Sequence, residues 1–125
     1  MAVVVSGTSA VPMYEQIRAQ LSDAIIGGDI AEGEMLPSLR QLAAQLRVSI
    51  ITVTRAYNEL VAMGLASNEH GRGFVVCAVA ADHAAAVMAD RVTNAISEVV
   101  SAGRTARLDM TTVLGKVEAE WMRRG

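Results

Sequence analysis

Only three residues, Arg47-Val48-Ser49, separate two amphipathic helical patterns, and that short break constrains the fold of this chain more than any other feature. Before it, Leu39, Leu42, Ala43 and Leu46 recur at helical spacing; after it, Val53, Ala56, Tyr57, Leu60 and Met63 do the same. Ser38 opens the first helix, and Gln41 three residues on makes a Ser-x-x-Gln capping box. Ser49 is a good N-cap for the second helix and Gly64 stops it. Two helices joined this closely make a helix-turn-helix. The second carries a polar face of Ser49, Thr52, Arg55, Asn58 and Glu59, and the first two lie near its N-terminus, the end that points at DNA in this motif.

The flanking segments extend the pattern. Pro12 stands where a first-turn proline is tolerated, and Met13, Ile17, Leu21, Ala24 and Ile25 follow at helical spacing until Gly27-Gly28. Asp29 to Pro37 reads as a connector broken by Gly33. Leu65 to Glu69 and Phe74 to Val79 read as two short strands, and the link His70-Gly71-Arg72-Gly73 has the glycines a tight turn requires. A hairpin directly after a helix-turn-helix is a wing, and an arginine between glycines at its tip is placed to enter a minor groove or touch phosphate. The bland alternative is a mobile basic tip with no ligand. The residues leave open whether Ala2 to Ser6 is a strand or a loose arm.

Beyond residue 79 the character changes. Asp82 is suited to cap a helix with Met88, Val92, Ala95, Ile96, Val99 and Val100 on its apolar face, ended by Gly103. Asp109 is suited to cap a last helix with Met110, Val113, Leu114, Val117 and Trp121. A helix pair this apolar cannot stand alone in water; it packs on the first part of the chain, on a second subunit, or on both. The expected fold is mainly α with a small β element (α+β): a winged helix-turn-helix DNA-binding domain over residues 1–79, then a two-helix dimerisation and effector region over 80–125.

Charge and composition narrow the function. The formal net charge of −2 argues against a uniformly basic coating of nucleic acid, but the charge is uneven. Residues 1–35 balance at −4, residues 36–79 at +2 through Arg40, Arg47, Arg55 and Arg72 against Glu59 and Glu69, and the remainder at zero. Arginine suits bidentate contact with phosphate or guanine, although one lysine against ten arginines also fits a GC-rich genome. Cys77 is the single cysteine, so an internal disulfide or a cysteine-cluster metal site is ruled out, and His70 and His83 leave little for a metal. No cofactor is expected. No apolar stretch is long enough to span a bilayer and Met1 to Ser6 lacks a basic n-region, so the expectation is a cytoplasmic protein with no membrane partner. With no nucleophile–base arrangement, phosphate-binding glycine loop or paired carboxylates, the chain is not expected to be an enzyme. Trp121 reads as a core or interface anchor, Cys77 as a buried small hydrophobe, His83 as solvated, and Met13, Met35, Met63, Met88 and Met110 as core fillers.

From Val11 to Val76 the chain resembles the winged-helix domain of GntR-type bacterial transcription regulators. The matching pieces are Pro12-Met13-Tyr14-Glu15-Gln16-Ile17, Glu32-Gly33-Glu34-Met35-Leu36-Pro37-Ser38, Arg40-Gln41-Leu42-Ala43, Arg55-Ala56-Tyr57-Asn58-Glu59-Leu60 and the wing His70-Gly71-Arg72-Gly73-Phe74-Val75-Val76. The short two-helix tail resembles the YtrA-like subfamily, which implies a homodimer assembled through the tail and a repressor beside a transporter operon. The dimer contacts are then expected from Met88, Val92, Ile96, Val99, Val113, Leu114, Val117 and Trp121. The resemblance implies that Arg40 contacts DNA, often a guanine; that Ser49 and Thr52 reach phosphates; and that His70 and Gly71 form the wing tip in the minor groove, with Arg72 an added cation. Arg55 matches the arginine of the Arg-Ala-Tyr segment and either touches DNA or pairs with Glu59 at i+4. Ile50 departs from the family, where an arginine or another polar residue is common; it either touches a thymine methyl or makes a core or dimer contact. The implied function is a sequence-specific regulator, a dimeric repressor on a palindromic operator in double-stranded DNA, with half-sites about 10 bp apart. A small-molecule effector would need a pocket shared between subunits. The alternative is a winged helix used for protein contacts, favoured by the acidic balance, the single lysine and Ile50-Ile51.

Overall fold

The computed structural model describes residues 2–125; Met1, with which the first expected domain opens, lies outside the described residues. Helix α1 spans Met13–Ile26 and starts directly after Pro12, which occupies the cap position itself, its carbonyl accepting from the Gln16 N–H at 3.1 Å. Gly28, at φ +85, closes it. Helix α2 spans Leu39–Leu46, and the Ser38 hydroxyl accepts from the Gln41 N–H at 3.1 Å. Helix α3 spans Ile50–Ala62 with Ser49 as its cap. The turn between α2 and α3 is a Schellman motif: Val48 N–H donates to the Ala43 carbonyl and Arg47 N–H to that of Ala44, with Arg47 left-handed at φ 56 where glycine is usual.

Strands β1 (Ala66–Glu69) and β2 (Gly73–Val76) pair antiparallel, Ala66 opposite Val76 and Glu69 opposite Gly73. The second strand stops three residues before the expected Val79. Its other edge is occupied by the connector that periodicity left unstructured. Gly33 N–H donates to the Val76 carbonyl, Val76 N–H to that of Glu34, and Leu36 N–H to that of Phe74, at 2.8–2.9 Å. This lane buries Leu36 and ties the hairpin to the start of α2.

The core joins Ile17, Leu21 and Ile25 of α1 to Val53, Ala56, Tyr57 and Leu60 of α3, with Leu42, Leu65 and Phe74 around them. Tyr57 has no exposed surface, meets the Phe74 ring edge-on at 5.0 Å, and donates its hydroxyl proton to the Pro37 carbonyl at 2.8 Å. Burial pushes its phenol pKa well above the ordinary value. Residues 2–6 are neither strand nor loose arm. The side-chain amide of Gln20 bonds both backbone groups of Val4, and that of Gln16 bonds both backbone groups of Ser6, so two glutamines of α1 stand in for a neighbouring strand.

The chain divides into two compact units, Met1–Ala84 and Ala85–Gly125, the division falling within helix α4 (Ala81–Thr105). Asp82 lies in the first turn of α4 rather than before it. In the second unit, Gly103 does not end α4. The helix runs two residues further and closes on a second Schellman motif, with Arg107 at φ 60 and Leu108 N–H donating to the Gly103 carbonyl. Gly103 serves packing instead: it is buried, and a Cβ there would lie 2.9 Å from Val113 Cγ2 of helix α5 (Met110–Arg124). Asp109 caps α5 as expected, accepting from the Thr112 N–H at 2.8 Å, and its hydrogen bonding with Thr112 holds its carboxyl below the usual 3.8.

Candidate nucleic-acid interface

The residues expected at DNA fall into three groups in the first unit. On α2, Arg40 sits in the first turn, exposed, with no ion pair or hydrogen bond among the described residues. At the start of α3, Ser49 and Thr52 form one bonded pair. The Ser49 hydroxyl accepts from the Thr52 N–H at 3.1 Å, and the two hydroxyls lie 2.9 Å apart. At the wing tip, His70, Gly71 and Arg72 are exposed, and Gly71 takes the φ of +84 that the turn needs. Arg72 donates to Glu69 Oε2 at 2.7 Å. That pair is surface-exposed and worth only about 0–1 kcal/mol, so a phosphate can displace it. No hydrogen bond or ion pair joins the three groups to one another among the described residues.

Arg55 shows why spacing alone left its role open. The expected partner, Glu59, is present but distant, with Nε 3.9 Å from Oε2. The stronger contact comes from α1: the guanidinium lies 3.6 Å from the Tyr14 ring centroid, a cation–π pair. Arg18 of α1 approaches the other carboxylate oxygen of Glu59 at 3.7 Å. One arginine and one aromatic, 41 positions apart in sequence, give no periodic signal; only the packing of α1 on α3 brings them together.

Ile50 is 41% exposed and Ile51 81%, so the apolar pair at the start of α3 is not core. His83 is not merely solvated: its Nε2 lies 2.7 Å from the Met63 carbonyl, at the C-terminal end of α3 beside the left-handed Gly64. Met35 and Met110 are exposed rather than core fillers, and Cys77 is half-buried just past β2. In the tail, Val92, Ile96, Val99, Leu114, Val117 and Trp121 all stand exposed, Trp121 by 75%, while Met88 and Val113 are half-buried. Among the described residues, no group of three or more His, Cys, Asp or Glu side chains is placed to hold a metal, and no helix is long and apolar enough to cross a membrane.

A helix-turn-helix with a glycine-tipped wing, and arginines and hydroxyls at the helix starts, is the make-up of a winged-helix module of the kind DNA-binding regulators carry. The family model described as bacterial regulatory proteins, gntR family, matches residues 13–76, just over half of the chain, and the chain belongs to that family. The HTH-type transcriptional repressor STM4068 of Salmonella typhimurium is 36% identical over 75 residues, covering 60% of this chain and 31% of that protein. The HTH-type transcriptional repressor YtrA of Bacillus subtilis is 38% identical over 65 residues, 52% of this chain and 50% of that one. The chain thus matches half or less of the length of these curated relatives. Among solved structures, YtrA from Sulfolobus acidocaldarius, a GntR-family transcription factor, superposes with a TM-score of 0.59 at 33% identity, covering 74% of this chain and 97% of that one. The DNA-binding domain of AraR in complex with operator ORX1 superposes with a TM-score of 0.55 at 29% identity, covering 62% of this chain and 96% of that one.

Proposed function

We propose that this chain is a dimeric, sequence-specific repressor of transcription that binds a palindromic operator, with residues 1–79 on DNA and residues 80–125 holding the dimer. The observation that carries the dimer is the exposed apolar row Val92, Ile96, Val99, Leu114, Val117 and Trp121, a surface that a chain in water covers with a partner. Met88 and Val113 extend that row. DNA binding is supported by the complex of the AraR DNA-binding domain with its operator, and repression by the names of the two relatives. Each subunit sets the start of α3 in a major groove and the His70-Gly71-Arg72 tip over a minor groove. Arg40, exposed in the first turn of α2, contacts a guanine; Ser49 and Thr52 approach phosphates; Ile50 stands at the groove. Arg55 stays on Tyr14 and orients α3. A transporter operon is the proposed target, and an effector, where one acts, binds between the two tails.

Fluorescence anisotropy tests this with the full chain, a duplex from immediately upstream of its own gene, and a shuffled duplex, across a salt series. The native duplex alone should bind, with Kd of roughly 10⁻⁸ M or tighter and steep weakening with salt. Arg40→Ala should cost about 1–3 kcal/mol and relax preference at one base. Equal weak binding to both duplexes would overturn the proposal in favour of a winged helix that contacts protein.

A further inference from the structure

Along the outward face of α3 the first turn is apolar and the nearby hydroxyls are already bonded. Ile51, Thr54, Arg55, Asn58, Glu59 and Ala62 line one open hollow along the helix. The Thr54 hydroxyl already donates to the Ile50 carbonyl at 2.7 Å. The Arg55 guanidinium is stacked on Tyr14 and drawn toward Glu59. At the helix start the Ser49 and Thr52 hydroxyls bond each other. What stands free in the first turn is apolar: Ile51, 81% exposed, with Ile50 beside it. A branched alkyl group exposed to this degree gains nothing from water, and the core of this unit is complete without it.

The surroundings indicate what covers it. Arg40 in the first turn of α2 and Arg47 in the turn before α3 are exposed and put positive charge beside this face, which suits a polyanion. A polyanion that also offers alkyl groups at the reach of a helix start is the DNA major groove, where thymine presents its C5-methyl. We propose that Ile51, with Ile50 supporting it, reads thymine C5-methyl groups, so that each operator half-site requires a thymine under the first turn of α3. This rests on the DNA-binding reading above and adds to it the base class the helix selects. The recognition is by exclusion of water from two alkyl surfaces, and a cytosine at that position would put a polar amino group against isoleucine.

The test removes the methyl group and nothing else. The full chain is used to enrich duplexes from a random 30-bp library, and the enriched duplex is remade with deoxyuridine in place of thymidine, first throughout and then one position at a time. Wild type should lose fivefold or more in affinity when the contacted thymine becomes deoxyuridine. Ile51→Ala should bind the thymidine duplex as weakly as wild type binds the deoxyuridine one, and should respond to the exchange by less than twofold. Ile51→Val should retain most of the discrimination. Because Ile51 is exposed, circular dichroism should show all variants folded like wild type. An enriched duplex whose affinity ignores deoxyuridine, or an Ile51→Ala variant as sensitive as wild type, would overturn the thymine reading alone. A selection that enriches no sequence, or capture of a protein partner through Ile51 without DNA, would overturn the DNA-binding reading and this inference with it.

Discussion

Arg47 does at one position what glycine usually does. It holds φ 56 in the turn between α2 and α3, a conformation that costs an L-residue about 1–2 kcal/mol, and it donates its N–H to the Ala44 carbonyl to close α2. Its side chain is exposed, so little packing offsets the strain. Arg47→Gly should therefore raise the unfolding free energy by about 0.5–1 kcal/mol in urea denaturation. A loss of stability would mean the arginine side chain contributes more than its backbone costs. Tyr57 is the opposite case, a polar residue made compatible with full burial by one bond to the Pro37 carbonyl. Its place in the core was evident from spacing, but the Pro37 partner was not, since the acceptor lies 20 positions away in the connector.

At the scale of elements, the tail helices depend on a cap and a close approach. Asp109 has its carboxyl pKa lowered by its hydrogen bonds to Thr112, so the cap contributes stability above the ordinary value of 3.8 and loses it as pH falls through the depressed folded value. NMR titration should place the Asp109 carboxyl below 3.8, and Asp109→Asn should remove that part of the acid-induced loss of α5 helicity. Gly103 sets the spacing of α4 and α5, because any Cβ meets Val113. Gly103→Leu should cost about 1–3 kcal/mol by overpacking, despite leucine's better helix propensity, as read from thermal melts. A neutral result would show that α5 moves freely against α4. Glycine in an apolar helical pattern reads as a stop when its neighbours are unknown, which is why its packing role was not visible beforehand. The caps at Ser38, Ser49 and Asp109 were visible, since each acts within three residues of itself.

For the whole molecule, the decisive quantity is the apolar surface that one chain leaves uncovered. Ile96 is 59% exposed, so on the proposed dimer Ile96→Glu should leave each chain folded while it prevents association through this row. Sedimentation velocity should show a monomer, and affinity for a two-half-site operator should fall by roughly 10²-fold or more while affinity for a single half-site is unchanged. A variant that remains dimeric would move the interface off this row. The helices, the wing and its turn, and three caps were determined by the sequence alone, because periodicity, capping and positive-φ glycines are physics between near neighbours. The tertiary structure decided what joins distant positions. It set Arg55 on Tyr14 and His83 on the Met63 carbonyl, laid residues 33–36 along β2, and gave the arm at residues 2–6 its glutamine partners. Such contacts depend on which faces meet when helices pack, and spacing along the chain carries no record of that.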